Sequence, residues 1–208
     1  MSWLALTLVV SLGTPAAVHR EALAYLGAGR YGEAVKLCRE AATGFAGMYG
    51  PETLEVALVL ADTAAAYRGE GDLGEAEKAA RRSLAIVEQK LGPEDANTAL
   101  ALDQLGEIYF DAHRYAEAGR LLRRALVTGE LALGPDHPHV ATILNDLAAV
   151  DFVQHHSAAA ETLYRRALAI REKLLGPDHP HVMVIRHNLA ELERAWGPRQ
   201  GVVLALNR

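Results

Sequence analysis

Glycine–proline pairs stand at Gly50-Pro51, Gly92-Pro93, Gly134-Pro135 and Gly176-Pro177, and every interval between them is 42 residues. A fixed period of this size marks a chain built from stacked copies of one small unit. The same register carries Tyr25, Tyr67 and Tyr109; Ala34, Ala76, Ala118 and Ala160; and the pairs Arg81-Arg82, Arg123-Arg124 and Arg165-Arg166. Each Gly-Pro closes a helix, because glycine takes the left-handed position past the last turn and proline cannot continue the run. A new helix is expected to start near Thr53, Asp95, His137 or His179, with apolar side chains three and four apart, as in Leu102, Leu105, Ile108 and Tyr109. The turns RGEGD, FDAHR and FVQHH follow, and second helices are expected from near Asp72, Arg114 and Ser157. Asp72 with Glu75 has capping-box spacing, and Glu161 with Arg165 forms an i, i+4 pair.

Half of the 208 residues are apolar but only 6% are aromatic, and alanine and leucine dominate, which favours close-packed helices over a β-sandwich. Amphipathic helix pairs cannot bury their apolar faces alone, so neighbouring units must stack. Small residues at Ala64, Gly106, Ala148 and Ala190 on first helices mark where backbones approach. The expected fold is all-α: a right-handed superhelical solenoid of stacked antiparallel helix pairs. The pairs fall at about 15–49, 53–91, 95–133 and 137–175, with a terminal helix at 179–196 stopped by Gly197-Pro198, and 197–208 as a C-terminal tail.

A net charge of −5 does not suggest a nucleic-acid or anionic-membrane surface. The single cysteine, Cys38, excludes an internal disulfide framework and reads as a small buried residue. The apolar run Trp3–Leu12 is too short to span a bilayer. Residues 1–17 resemble a secretory signal peptide cleaved after Ala16 or Ala17, although no Lys or Arg precedes the run. That reading implies export to a periplasmic or extracellular space; a hydrophobic first helix packed on the array is the rival, and would leave the chain cytoplasmic.

The units resemble the tetratricopeptide repeat, whose W-x2-L-G-x2-Y…A-x3-F…A pattern is met by Leu102, Leu105, Gly106, Tyr109, Ala118, Leu122 and Ala125. The next unit offers Leu144, Leu147, Ala148, Ala160, Tyr164 and Ala167 but has Asp151 in place of the tyrosine. The first full unit has Thr63 and Ser83 where Leu and Ala are favoured, so looser packing is expected there. The usual period is 34 residues. The longer 42-residue form, with LGPDHPHV joints and ALAIREKLLG ending a second helix, is similar to the repeats of the kinesin light chain and related bacterial proteins. The likeness covers about 15–196 and is one of repeat type.

On this reading LGPDHPHV, present at Leu133–Val140 and Leu175–Val182, is an inter-repeat joint. Its prolines, Pro138 and Pro180, sit in a first helical turn, where a missing N–H matters little. His137, His139, His179 and His181 are joint residues, because stacked units bring equivalent positions only to roughly 10 Å, too far for bonds of about 2 Å to one metal. GAGRYG and GEGDLG match a dinucleotide pattern, but no strand precedes either and they are turn glycines. The paired arginines read as a solvated second-helix face. No nucleophile elbow, P-loop, CxxC or HExxH appears, so neither enzyme activity nor a cofactor is expected.

The resemblance implies a concave groove lined by first helices that takes a partner peptide. Mapped by register, its candidate residues are Asp103, Glu107, Phe110, Asn145, Phe152, His187, Glu191 and Arg194. Asn145 can donate and accept at once, and Phe110 and Phe152 could supply either an apolar floor or packing between first helices. The carboxylate clamp of heat-shock co-chaperones needs cations in these columns; Asp103, Glu107 and Glu191 stand there instead, which suits a basic or mixed-charge segment. The expected function is a non-enzymatic protein–protein interaction scaffold. The alternative is a self-association module, a homodimer formed through an uncapped C-terminal face.

Overall fold

The computed structural model describes residues 13–206, with side chains for 13–196. Its helices run α1 (Pro15–Gly27), α2 (Tyr31–Tyr49), α3 (Leu54–Glu70), α4 (Leu73–Leu91), α5 (Ala96–Asp111), α6 (Tyr115–Leu133), α7 (Pro138–Val153), α8 (Ser157–Leu175) and α9 (Pro180–Leu206). Local chemistry sets these limits. Thr53 Oγ1 accepts from the Val56 N–H at 3.4 Å, Asp72 Oδ1 from the Glu75 N–H at 3.1 Å, and Asp95 Oδ1 from the Asn97 N–H at 2.8 Å. The joint histidines do the same work: Nδ1 of His137 and of His179 accepts the N–H two residues on, each at 3.2 Å. A helix start leaves several N–H groups without partners, and these side chains satisfy one each.

At the other ends, Gly50, Gly92, Gly134 and Gly176 take φ of 97°, 94°, 91° and 83°, which a Cβ would oppose. The tight turn inside each unit has its own left-handed position, filled by Gly29 and Gly71 and then by His113 (φ 59°) and His155 (φ 65°). The two histidines hold a conformation costing a side chain about 1–2 kcal/mol. The turn geometry therefore outlasts the loss of its glycine, and the G-x-G-x-x-G spacing is a by-product of that turn.

Each helix packs on the next in sequence, and first helices also touch across units: α1 with α3, α3 with α5, α5 with α7, and α7 with α9. Successive second helices make no such contact. A stack whose first helices are drawn together while its second helices stand apart is curved, with α3, α5 and α7 on its inner face. The close approaches fall at the small residues, since Ala64, Ala76, Ala118, Ala148 and Ala160 are all wholly buried. Long side chains bridge the wider side. Arg124 pairs with Glu88 and Arg166 with Glu130, each at 2.5 Å, so in these two arginine pairs the second member ties one unit to its neighbour instead of only facing water.

One expectation needs correction. The terminal helix does not stop at Gly197-Pro198 but runs to Leu206, and with it the expected boundary between helix and tail at 197 is lost. An interior proline removes one hydrogen bond and crowds the preceding turn; that is a penalty of about 3 kcal/mol, not a bar. At the other end, α1 begins at Pro15, with Thr14 accepting from the Ala17 N–H at 3.3 Å, so the expected cleavage positions, after Ala16 or Ala17, fall within its first turn. The apolar run itself lies outside the described residues. No helix among the described residues is long and apolar enough to cross a membrane.

Candidate functional site

The concave face is built from the exposed stripes of α3, α5 and α7. Between α3, α4 and α5 it deepens into a cleft of about 540 Å³, within the roughly 300–1,000 Å³ typical of binding clefts. The cleft follows from side-chain size. Ala57, Ala61 and Ser83 line it, and all three are small. Ser83 and Thr63, the two residues expected to loosen this unit, are both buried and satisfied: Ser83 Oγ donates to the Ala57 carbonyl at 2.7 Å and Thr63 Oγ1 to that of Val59 at 2.6 Å. Thr63 is smaller than Leu105 and Leu147 at its register in later units, whereas Ser83 stands where those units carry Ala125 and Ala167.

The rim is apolar. Leu54, Leu58, Leu91 and Leu100 all line the cleft and are all exposed, Leu58 at 59% and Leu100 at 45%. None of them was among the sequence candidates. Leu58 and Leu100 do occupy the same register in consecutive units, which is the signal that could have found them.

One end of the cleft is acidic. Asp103 is only 5% exposed, and its Oδ1 has no hydrogen-bond partner. Its Oδ2 lies 3.8 Å from Nε2 of His139, which is also without a hydrogen-bond partner. Burial raises the Asp103 pKa well above the usual carboxylate range, and the negative charges of Asp146 and Glu107 push the same way. Burial also lowers the pKa of His139, with His137 and Arg171 adding to the effect. Beside them, Arg68 reaches from α3 to α5, donating to Glu107 Oε2 at 2.6 Å and to Asp111 Oδ2 at 2.5 Å. Burial raises the Glu107 pKa, and Arg68 opposes that. Asp146, on α7, is pushed up to about 7 by burial, with Glu107 reinforcing it. Asp146 Oδ2 has no partner either.

The structure therefore gathers Asp103 and Glu107 into one cluster with Arg68, Asp111, His139 and Asp146. The other candidates sit elsewhere. Asn145 donates to Asp146 Oδ1 and accepts from the Asn188 amide, each at 3.0 Å, so both ends of its amide already have neighbours. Phe110 meets Tyr115 edge-on at 5.4 Å and lines a smaller cleft of about 160 Å³ with Arg68, Asp111 and Asp146. Phe152 packs against the core around Ala148 and Tyr164. His187, Glu191 and Arg194 stand on α9; Glu191 pairs with Arg194 and lies 3.9 Å from His187.

Cys38 is buried beside Thr63, and burial pushes its thiol up to about 11, which makes it a packing residue and a poor nucleophile.

A tetratricopeptide repeat family model matches residues 14–89, 64–126, 95–173 and 154–197. No curated protein sequence matches. Among solved structures, the chain is similar to the nearly identical TPR-like repeats of kinesin light chain type from Podosopora anserina. That likeness has TM-score 0.75 and 25% identity over 92% of this chain and 90% of that one. It is also similar to BtubC from P. vanneervenii (TM-score 0.77, 22% identity, 92% and 76% covered) and to apo RapI (TM-score 0.69, 14% identity, 93% and 72% covered).

Proposed function

The chain belongs to the tetratricopeptide repeat family, whose members generally mediate protein–protein interaction, and on that premise we propose that it is a non-enzymatic scaffold holding a partner's peptide segment in its concave groove. The observation that carries this reading is the leucine rim. Exposed leucines scattered singly mean little, but four around one concave cleft form a patch that a partner would cover. The polar positions along the same face, Asp103, Glu107, Asn145 and His187, are the contacts proposed to orient the segment. The acidic excess favours a basic or mixed-charge one.

The test is selection of displayed random peptides on the immobilised chain. Peptides that bind the native chain are expected to lose at least about tenfold in affinity to Leu58→Asp, since a charge placed on an apolar contact remains unpaired. The Leu58→Asp melting temperature should match the native one, because this side chain is mostly in water. Peptides that bind both forms equally would remove the groove from consideration.

A second reading has its own observation. Met183 is 53% exposed, whereas Ala57, Ala99 and Ala141, at the same register position in earlier units, are buried. Val184 beside it is exposed as well. This face of α9 is suited to a second copy of the chain. Light scattering across a concentration series is expected to show a dimer that Met183→Glu dissociates; a monomer at every concentration would end this reading. Export is retained as a proposal on the Trp3–Leu12 run.

A further inference from the structure

We infer that the cleft between α3, α4 and α5 is an anchor site for a lysine or arginine side chain of a partner protein, carried in a segment whose flanking residues are aliphatic. This rests on the groove reading above and adds to it the chemistry of the occupant. Three independent observations converge. The cleft has an apolar mouth, with Leu54, Leu58 and Leu100 on its rim. At its acidic end is a carboxylate oxygen, Asp103 Oδ1, buried and without a protein donor. The local charge does not balance. Asp103, Glu107, Asp111 and Asp146 surround one arginine, and Arg68 gives its two ion pairs to Glu107 and Asp111. Among the described residues, Asp103 and Asp146 then have no Lys or Arg nitrogen within ion-pair distance.

A long cationic side chain matches that sequence of surfaces. Its methylene stem lies along the leucines while its head reaches the acid, the way lysine and arginine cover apolar surface elsewhere. An acidic segment is excluded by the same groups, since its carboxylate would have to be buried against Asp103. A purely aliphatic segment would fill the mouth and leave Asp103 buried and unpaired.

Burial biases Asp103 toward its neutral form and only the ionised form pairs with the cation, so binding is coupled to pH. The titratable and charged groups facing it are Arg68 from α3, Glu107 on α5 itself, and His139 and Asp146 from α7; Arg171 of α8 acts on His139 and Asp146. From the α4 wall come Ser83, Val87 and Leu91, none of them charged. Acid favours the neutral form of Asp103, which opposes the incoming cation, while the lowered pKa of His139 keeps that ring neutral further into acid.

The experiment is the peptide selection described above, run on the full chain at pH 8 and read by sequence. Enriched peptides are expected to share a Lys or Arg beside Leu, Ile, Val or Phe. A synthetic copy of one such peptide should lose about 30-fold or more on Asp103→Asn, in line with removing one partner of a buried charge pair. Replacing its basic residue with methionine should weaken binding to the native chain by a similar factor, with no further loss on the Asp103→Asn chain. Affinity should also fall from pH 8 to pH 6. Peptides lost on Leu58→Asp but lacking a basic residue, or bound equally by Asp103→Asn, overturn the anchor and leave the groove intact. Peptides insensitive to Leu58→Asp, or an empty selection, overturn both.

Discussion

Replacing Asp103 with asparagine raises the melting temperature of the free chain at pH 8 by about 2–12 °C, and by less as the pH is lowered. The range corresponds to relieving roughly 1–3 kcal/mol of unmet solvation, at about 2–4 °C per kcal/mol for a chain of this size. At pH 8 the native side chain either holds a buried charge without a partner or must take up a proton from a dilute pool; asparagine does neither. Asn145 stands one unit on at the same register, so the amide has a precedent on this face. As the pH falls the native carboxyl takes up its proton, and the two side chains become equivalent in charge.

The native chain should show the matching trend. A carboxyl whose folded pKa is raised binds more protons folded than unfolded, so its contribution to stability is complete below the unfolded value of about 3.9 and is lost as pH rises through the folded value. For Asp146 that window runs up to about 7. Asp103 and Glu107 shift in the same direction. Melting temperature is therefore expected to fall between pH 5 and pH 8, and less steeply in Asp103→Asn. A melting curve for Asp103→Asn that drops at both pH values would mean that Asp103 is structurally paired and not waiting for a cation. A residue that weakens the free protein and strengthens the complex is a common form of functional compromise.

Legibility in the sequence followed from what repeats. Gly50, Gly92, Gly134 and Gly176 recur because a helix end and the start of the next have local causes, and a local cause leaves a local signature. Thr53, Asp95, His137 and His179 stand at the observed helix starts for the same reason. The acidic cluster was half legible. The resemblance to the tetratricopeptide repeat, mapped by register, implied that Asp103 and Glu107 lie on the concave face. It could not show that Arg68 reaches across to α5, because that contact spans 39 and 43 residues and depends on how two units tilt. Asn145 illustrates the converse. Its residue type suits ligand binding, but Asn188, 43 residues on, already engages its carbonyl. The leucine rim was missed because exposure is a property of the stacked array; Leu58 reads in the sequence as one more apolar residue in an apolar helix. The position of Pro198 misled for a related reason: a stop signal read at four joints was applied to a fifth pair, where the helix tolerates it.

The stacking itself turns on one exchange of volume. A Cβ added at Gly106 would lie 2.8 Å from both Cγ and Cδ2 of Leu122, a fully buried side chain on the facing helix of the same unit. One unit earlier the equivalent positions are Ala64 and Ala80, both buried. The unit that gained a leucine on its second helix thus lost a methyl group on its first. Leu122→Ala alone is expected to destabilise by about 2–5 kcal/mol, through lost burial and the cavity left behind. Gly106→Ala alone should also destabilise, by about 1–2 kcal/mol, because overpacking exceeds the gain of up to ~1 kcal/mol from helix propensity. Together they recreate the Ala64–Ala80 arrangement. In the Leu122→Ala background, Gly106→Ala should therefore become stabilising, and urea titrations of the four forms should give a favourable coupling of at least ~1 kcal/mol. Additive losses would show that Leu122 yields to a neighbouring Cβ without strain, and that the pairing of small and large residues between these two helices does not set their distance.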